Sequence, residues 1–182
     1  MFKLKRGDTA LVLVDFQEKL AAAMDTFLLE ETLAYTIKLV KGFNILDIPI
    51  YFTQQYTKGL GETVAPLSEF LSNSCVEKLT FSCCGVPEFK ERLQKNCIKN
   101  VVIAGMEAHI CVLQTVLDLI DLGFNVHVAS DAVISRYKKD YDIALSLVRQ
   151  AGAAVSCVET ILFQLLEKAG GEEFKAISKL IR

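Results

Sequence analysis

Two short, uninterrupted apolar segments most constrain the fold of this chain. Residues 9–14 read Thr-Ala-Leu-Val-Leu-Val, and residues 101–105 read Val-Val-Ile-Ala-Gly. A strand with one face in water alternates polar and apolar residues, whereas a strand covered on both faces is apolar throughout. Residues 26–46 and the stretch from residue 108 onward follow these segments with helical spacing of apolar residues. We therefore predict two central strands of a parallel sheet, each leading into a helix.

The same alternation of strand and helix patterns continues along the chain. Further strands are predicted at residues 49–54, 76–79, 125–130 and 153–158, and further helices at 87–96 and 141–151 and in two segments near the end. This pattern predicts a single α/β domain over residues 1–182, with three α/β/α layers and a doubly wound, six-stranded parallel sheet. In the order 3-2-1-4-5-6, the two apolar strands are neighbours at the switch point, where such folds bind ligands.

A cysteine lies in the first turn of the helix that follows the second apolar strand. The helical pattern begins near Ala108, so that Cys111 falls within this turn. Unpaired N–H groups and the positive end of the helix dipole favour thiolate over thiol, which predicts a lowered pKa and a reactive nucleophile. The alternative is a small buried core side chain, since free cysteines are among the most buried residues.

Two charged residues accompany this cysteine at predicted strand ends. Asp15 directly follows the first apolar strand, at the edge where open α/β sheets bind ligands, although an aspartate there can equally cap the next helix. Lys78 lies at the end of the short third strand, where a solvated lysine is the ordinary alternative. Residue pattern alone therefore leaves both roles open.

Taken together, these residues resemble the isochorismatase-like cysteine hydrolases. In that family an aspartate ends the first strand, a lysine follows the third, and a cysteine begins the helix after the fourth. The sequence is most similar to the isochorismatase domain-containing subgroup, and the resemblance extends over nearly the whole chain. The segments that carry it are residues 15–20 (Asp-Phe-Gln-Glu-Lys-Leu), 106–115 (Met-Glu-Ala-His-Ile-Cys-Val-Leu-Gln-Thr), 117–119, 126–128, 130–132 and 174–181.

The resemblance implies a catalytic triad and a covalent mechanism. Asp15 takes the thiol proton, Lys78 holds the carboxylate and the thiolate by charge, and Cys111 attacks an amide or similar acyl group of a small molecule to give a thioester-type intermediate. Asp15 then activates water.

The resemblance also implies an oxyanion hole. The chain differs from many active relatives at one position. The donors would be the backbone N–H groups of Glu107 and Cys111, and relatives have a cis peptide bond at the position of Met106–Glu107. Many active relatives have a threonine at the position of Ala108. Because this hydroxyl is missing, the substrates of those relatives cannot be assigned to this chain from the resemblance.

Several other side chains near predicted strand ends are candidates for substrate binding. Gln17, Gln54 and Gln55 can donate and accept hydrogen bonds, but they can equally be solvated loop residues. Phe16 and Phe81 can line a pocket or belong to the core. His109 either lines the pocket or faces solvent.

No metal site or cofactor is predicted. The nicotinamidase branch of the family binds a divalent metal through an Asp-x-His motif and further histidines after the second strand, whereas this chain reads Thr-Gln-Gln-Tyr-Thr at residues 53–57. His109 and His127 are the only histidines, and His127 is predicted to be a hydrogen-bonded histidine in the core or at its rim. A zinc-type cluster cannot be assembled from these residues.

The composition limits the partners and cellular locations that can be expected. The formal net charge is −2 and the pI is near 5.8, so that neither nucleic acid nor an anionic membrane is an expected partner. No apolar run approaches the roughly 18 residues of a membrane span. The basic N-terminal residues contain no apolar signal segment, and the six cysteines are expected to be reduced thiols. We expect a cytoplasmic location, with mitochondria as the alternative.

The chain is more apolar than a single domain of this size needs. Hydrophobic residues make up 52% of the sequence. We therefore predict a dimer or larger homo-oligomer. The contact surfaces are expected on the helix after Cys111 and on the C-terminal helices with Ile161, Leu162, Phe163, Leu165 and Leu166.

Two other function classes remain open at this point. One is a catalytically idle member of the fold that serves as a binding or scaffold protein, which an intact Asp–Lys–Cys set argues against without excluding. The other is an enzyme that acts on nucleic acids. The sequence has neither the basic stripe nor the basic motif with interspersed aromatic residues that is typical of such enzymes.

Overall fold

A computed structural model describes residues 3–70 and 75–182 of the protein. The six strands are β1 Thr9–Val14, β2 Ile50–Gln55, β3 Cys75–Lys78, β4 Asn100–Met106, β5 Asn125–Ile134 and β6 Ala154–Ser156. They form one sheet in the order β3-β2-β1-β4-β5-β6, in which every neighbouring pair is parallel. The predicted α/β fold and strand order are therefore confirmed.

Helices connect the strands. They are α1 Glu18–Ala21, α2 Thr26–Ile45, α3 Thr57–Leu60, α4 Ala65–Ser68, α5 Pro87–Lys95, α6 Leu113–Asp121, α7 Lys138–Gln150, α8 Val158–Leu166 and α9 Gly171–Ile181. A π-helical turn, Ala108–Val112, precedes α6, and short 3-10 turns lie at Arg6–Asp8 and Cys83–Gly85. Across residues 3–70 and 75–182, we find no helix with the length and apolar character needed to cross a bilayer.

β5 and β6 differ most from their predicted lengths. β5 continues to Ile134 because its second half pairs again with the end of β4, where Gly105 faces Val133 and Met106 faces Ile134 after a register shift. β6 is shorter than predicted and has three residues.

Each face of the sheet buries its own apolar cluster. Leu11 and Leu13 of β1 point to the cluster that includes residues of α2 and α8, whereas Ala10, Val12 and Val14 point to the cluster with residues of α5, α6 and α7. This period-two division explains why both sides of β1 had to be apolar.

The two central strands approach each other closely where they end. Val14 of β1 pairs with Gly105 of β4, and Gly105 has a φ of +152°. A Cβ atom on Gly105 would collide with the carbonyl oxygen of Val14. Glycine is therefore required here, and the close approach brings the residues after β1 and β4 to one place.

The prediction that the apolar residues of the C-terminal helices form a subunit contact is wrong for most of them. Ile161, Leu162 and Leu165 are nearly completely buried within the chain's own core, and Leu166 packs against that core. Phe163 is 39% exposed and packs edge-on against Phe174. The apolar excess of α8 therefore serves the fold of the single chain.

Candidate active site

Three elements bring the predicted catalytic residues to the carboxyl edge of the sheet. Asp15 follows β1, Lys78 ends β3, and Cys111 lies in the π-helical turn after β4. Asp15 has a φ of +50°, a left-handed conformation that is uncommon outside glycine and often marks a functional site. All three residues are buried.

A fourth polar residue holds the Asp15 carboxylate. The hydroxyl of Thr53 donates to Asp15 Oδ1 over 2.7 Å, while Lys78 Nζ donates to Asp15 Oδ2 over 2.6 Å. Thr53 was not among the residues predicted from the sequence. The available signal was a buried polar residue in β2, which the register places beside Val14. Both carboxylate oxygens are thus fixed by the chain itself.

The Lys78 ammonium is surrounded by oxygen acceptors. Besides Asp15, it donates to the side-chain oxygen of Gln55 at 2.7 Å and to the carbonyl oxygens of Phe81 at 2.9 Å and Thr80 at 3.2 Å. An ammonium has three N–H donors, and these acceptors use all of them. Lys78 therefore acts on Cys111 through its charge and through Gln55.

The Cys111 thiol is held in its neutral form, contrary to the expectation of a stabilised thiolate. Its Sγ lies 3.6 Å from Gln55 Oε1, and the residue is 6% exposed. Burial raises the pKa of Cys111 strongly, and the Asp15 carboxylate adds to the rise, while Lys78 opposes it less effectively. The prediction of a lowered pKa is therefore wrong, because it considered the helix end without the burial and the neighbouring carboxylate.

The turn that carries Cys111 is π-helical instead of α-helical. The N–H groups of Ile110 and Val112 both donate to the carbonyl of Glu107, and the Thr115 hydroxyl donates to the carbonyl of Cys111 at 2.7 Å. Single π-helical turns are frequent at functional sites because they redirect side chains locally.

An ion pair between the buried Glu107 and the exposed Arg136 anchors the start of this turn. The Met106–Glu107 peptide bond is cis, as the family resemblance implied. The Glu107 carboxylate accepts from the backbone N–H and from Nε of Arg136, both at 3.0 Å. The Glu107 side chain, for which no role was predicted from the sequence, thus ties the turn to the residues that follow β5.

The three glutamines occupy very different positions. Gln17 is fully buried. Its Nε2 donates to the carbonyl oxygens of Gln55 and Gly61, and its Oε1 accepts from the N–H of Gln55. Gln54 donates to Glu62 and Thr63. These hydrogen bonds fix the loop after β2, which favours a structural role for both side chains over the predicted substrate contacts. Gln55 alone faces the catalytic residues.

The two aromatic candidates, Phe16 and Phe81, also differ in their burial. Phe16 is 2% exposed and belongs to the core on the α2 side of the sheet, so that the core alternative applies and its predicted role at the pocket is corrected. Phe81 is 52% exposed, and its carbonyl oxygen accepts from Lys78. Phe81 therefore lies at the mouth of the site.

Among the residues that the structure describes, only one of the two histidines has a hydrogen-bond partner. His109 Nδ1 lies 2.9 Å from the Ser135 hydroxyl, and its ring is partly exposed. His127 is 1% exposed, and neither of its ring nitrogens has a hydrogen-bond partner among the described residues. The prediction of a hydrogen-bonded core histidine is thus wrong for His127. Burial lowers the pKa of this ring.

Residues 3–70 and 75–182 contain no group of three or more histidine, cysteine, aspartate or glutamate side chains that could hold a metal ion. Asp15 and Lys78 form the ion pair of the site, and Glu107 and Arg136 form a second pair at its edge.

Comparisons with known proteins identify the family of this chain. The model of the isochorismatase domain family matches residues 9–160. The secreted isochorismatase effector Isc1 from Phytophthora sojae is 42% identical over 163 residues, 86% of this chain and 77% of that protein. Isochorismatase domain-containing protein 2 from Homo sapiens is 36% identical over 178 residues, 97% of this chain and 84% of that protein. A solved structure described as MAR1 ribonuclease from Caenorhabditis elegans has a TM-score of 0.91 at 39% identity, covering 98% of this chain and 92% of that chain.

Proposed function

Because the chain belongs to the isochorismatase family and to its isochorismatase domain-containing subgroup, we propose that it is a cysteine hydrolase that acts on a small amide-like molecule. The observation that carries the proposal is the buried Lys78–Asp15 ion pair at 2.6 Å, next to a buried cysteine at the carboxyl edge of the sheet. A core cysteine needs no such neighbours, whereas a nucleophile needs a base and a cation.

The first half of the reaction forms an acyl-enzyme. The Cys111 thiol transfers its proton to Asp15 as Sγ attacks the substrate carbonyl carbon, and the carbonyl oxygen becomes an oxyanion. The backbone N–H groups of Glu107 and Cys111 donate to this oxygen. When the C–N bond breaks, Asp15 returns the proton to the leaving nitrogen, and a thioester on Cys111 remains.

The second half releases the product. A water molecule gives a proton to Asp15, and its oxygen attacks the thioester carbon. The C–S bond then breaks, the acid leaves, and Sγ takes the proton back from Asp15. The site returns to its neutral thiol. Lys78 remains charged throughout and keeps Asp15 oriented.

The substrate contacts come from a subset of the sequence candidates. We assign Gln55, Phe81 and His109 to this set, because the other sequence candidates are committed to the fold. Leu79 is 77% exposed and Tyr56 50% exposed, so that apolar side chains surround the ends of β2 and β3. Such a mouth favours small neutral molecules with an apolar part.

The test is a substrate screen with matched variants. Small amides, ureides and vinyl ethers are incubated with wild type, Cys111→Ala, Asp15→Asn and, as the control, Cys97→Ala at an exposed position. We expect turnover in wild type and the control, a loss of about a thousandfold or more in the two site variants, and an acyl adduct on Cys111 by mass spectrometry. Turnover that survives Cys111→Ala would refute the proposal.

Two other functions are outcomes of the same experiment. Specific binding of a screened compound without any turnover would indicate an idle binding or scaffold protein. The description of the Caenorhabditis elegans relative as a ribonuclease adds single-stranded and double-stranded RNA to the screen. RNA cleavage that Cys111→Ala leaves unchanged would assign the activity to another site.

Self-association is also part of the proposal. Leu117 of α6 and Ile143 and Leu147 of α7 are exposed apolar residues on helices that contact each other. We propose this pair of helices as a contact surface between copies of the chain. Light scattering at micromolar concentration should give a mass of at least twice 20.2 kDa. A mass equal to one chain would contradict this part.

A further inference from the structure

Gln55 lies between the lysine and the cysteine of the site. Its Oε1 accepts from Lys78 Nζ over 2.7 Å and lies 3.6 Å from Cys111 Sγ. Lys78 and Cys111 therefore share one neutral oxygen atom. This arrangement gives Gln55 a position that neither Gln17 nor Gln54 has.

The orientation of the Gln55 amide is fixed by its surroundings. Its Nε2 donates to the carbonyl oxygen of Leu79 at 3.1 Å, which places Oε1 next to the ammonium. The backbone of Gln55 is held as well, since its N–H donates to the Gln17 side chain and its carbonyl accepts from it. If the amide were reversed, its NH₂ group would face the Lys78 ammonium, and two donors would meet. Only an acceptor can therefore face Cys111.

An acceptor oxygen interacts differently with the two forms of a thiol. It receives a hydrogen bond from a neutral S–H group, but it repels a thiolate, which has no proton to share. The ionisable groups with the largest effect on the pKa of Cys111 are Asp15 after β1, Lys78 of β3 and Cys83 of the 3-10 turn. Of these, only Lys78 favours the thiolate, and Gln55 uses one of its donors.

We propose that Gln55 is a positioning residue that holds the resting Cys111 as a neutral thiol and releases its sulfur toward the substrate when the proton leaves. The proposal rests on the proposed function of Cys111 as the nucleophile. In the resting site, Gln55 Oε1 and Asp15 both favour S–H. Once Asp15 has taken the proton, the sulfur is repelled by Gln55 Oε1, so that attack on the substrate and loss of the proton are coupled.

Two substitutions change this contact in opposite directions. Gln55→Met keeps the length of the side chain but removes the acceptor, so that the thiolate is easier to form. We expect Cys111 to react with iodoacetamide about tenfold faster at neutral pH, while kcat falls. Gln55→Glu keeps the oxygen and adds a negative charge, so that the same reaction should become slower than in wild type.

The experiment measures the alkylation rate of Cys111 from about pH 6 to about pH 10, with the labelled cysteine identified by mass mapping. Gln54→Met is the matched control, because Gln54 contacts the loop residues Glu62 and Thr63 instead of the thiol. We expect the profile to move to lower pH in Gln55→Met, to higher pH in Gln55→Glu, and to stay in place in the control. A residue that only supports the fold would not move the two profiles in opposite directions.

Unchanged profiles in both Gln55 variants would overturn the inference. If Gln55→Met does not fold, the near-isosteric Gln55→Glu decides alone, and a profile identical to wild type refutes the assignment. The failure of this inference can be distinguished from the failure of the proposed function, since that proposal fails through turnover in Cys111→Ala, whereas this one fails through the pH profile of the thiol.

Discussion

Lys78 and Asp15 form a fully buried ion pair, with 2.6 Å between Nζ and Oδ2, across a strand to which neither belongs. Lys78 ends β3, Asp15 follows β1, and β2 lies between these strands in the sheet. The long lysine side chain spans β2 and reaches Asp15. Removing one partner of such a pair leaves the other charge buried without compensation.

The first prediction concerns this ion pair. Lys78→Met should destabilise the protein by about 3–5 kcal/mol, because Asp15 loses its cation in a buried site. Asp15→Asn/Lys78→Met should lose less than the sum of the two single variants, since the double variant leaves no buried charge unpaired. Urea unfolding measures all three. Lys138→Met, which breaks an exposed pair with Asp142, is the control and should cost less than about 1 kcal/mol. Strictly additive losses at Asp15 and Lys78 would contradict the prediction.

The second prediction concerns alkaline pH. Burial, with a contribution from Asp15, raises the pKa of Cys83 from 9.0 to about 11. The folded state therefore binds the thiol proton more tightly than the unfolded state, so that this stabilisation is complete below pH 9 and is lost as the pH rises toward 11. A rise of two pKa units corresponds to about 2–3 kcal/mol.

This loss is measured by urea unfolding at several values between pH 8 and 11. Cys83→Ala should fall less steeply with pH than wild type, whatever its stability at pH 8. Cys97→Ala, at an exposed position, should keep the slope of wild type. An identical slope in Cys83→Ala would show that this thiol does not titrate differently in the folded state.

The third prediction concerns His127. Its buried ring has no hydrogen-bond partner among the described residues, and a buried polar group without a partner costs about 1–3 kcal/mol. His127→Leu should therefore be more stable than wild type at pH 7.5. Burial lowers the pKa of His127, so that the unfolded state binds more protons below about pH 6.5, and wild type loses stability as the pH falls.

The advantage of His127→Leu should consequently grow between pH 7.5 and pH 5. Thermal or urea unfolding at both pH values tests this, and His109→Gln is the comparison at the chain's other histidine. A His127→Leu variant that is less stable than wild type at both pH values would indicate that the ring has a partner in solution.

The fourth prediction concerns Gln17, which supports the loop after β2. Gln17→Leu removes three hydrogen bonds and leaves the N–H of Gln55 and the carbonyl of Gly61 without their partner. We expect a loss of roughly 1–3 kcal/mol for these buried groups, together with lower turnover because Gln55 is displaced. Gln150→Leu, on the exposed side of α7, should change stability by less than about 0.5 kcal/mol. Equal stability of the two variants would contradict the structural role of Gln17.

The sequence by itself determined the fold and the neighbourhood of two site residues. The apolar runs at residues 9–14 and 101–105 mark strands buried on both faces, and the alternation with helical patterns restricts them to a parallel sheet. Parallel sheets with this strand order place the ends of β1 and β4 together, so that Asp15 and Cys111 were expected at one edge. Local patterns and simple connection rules carry this information, and they can be read along the chain.

Only the tertiary structure decided what those residues and their neighbours do. The role of Lys78 depends on its contact with Asp15, which is 63 residues away in the sequence. Gln55 differs from Gln17 and Gln54 only in the atoms that lie around its side-chain amide. The protonation of Cys111 likewise depends on burial and on Asp15, and these outweigh the local effect of the helix end. Burial, charge and hydrogen-bond partners are set by residues distant in sequence, and side-chain chemistry near a strand end therefore remains ambiguous until the chain is folded.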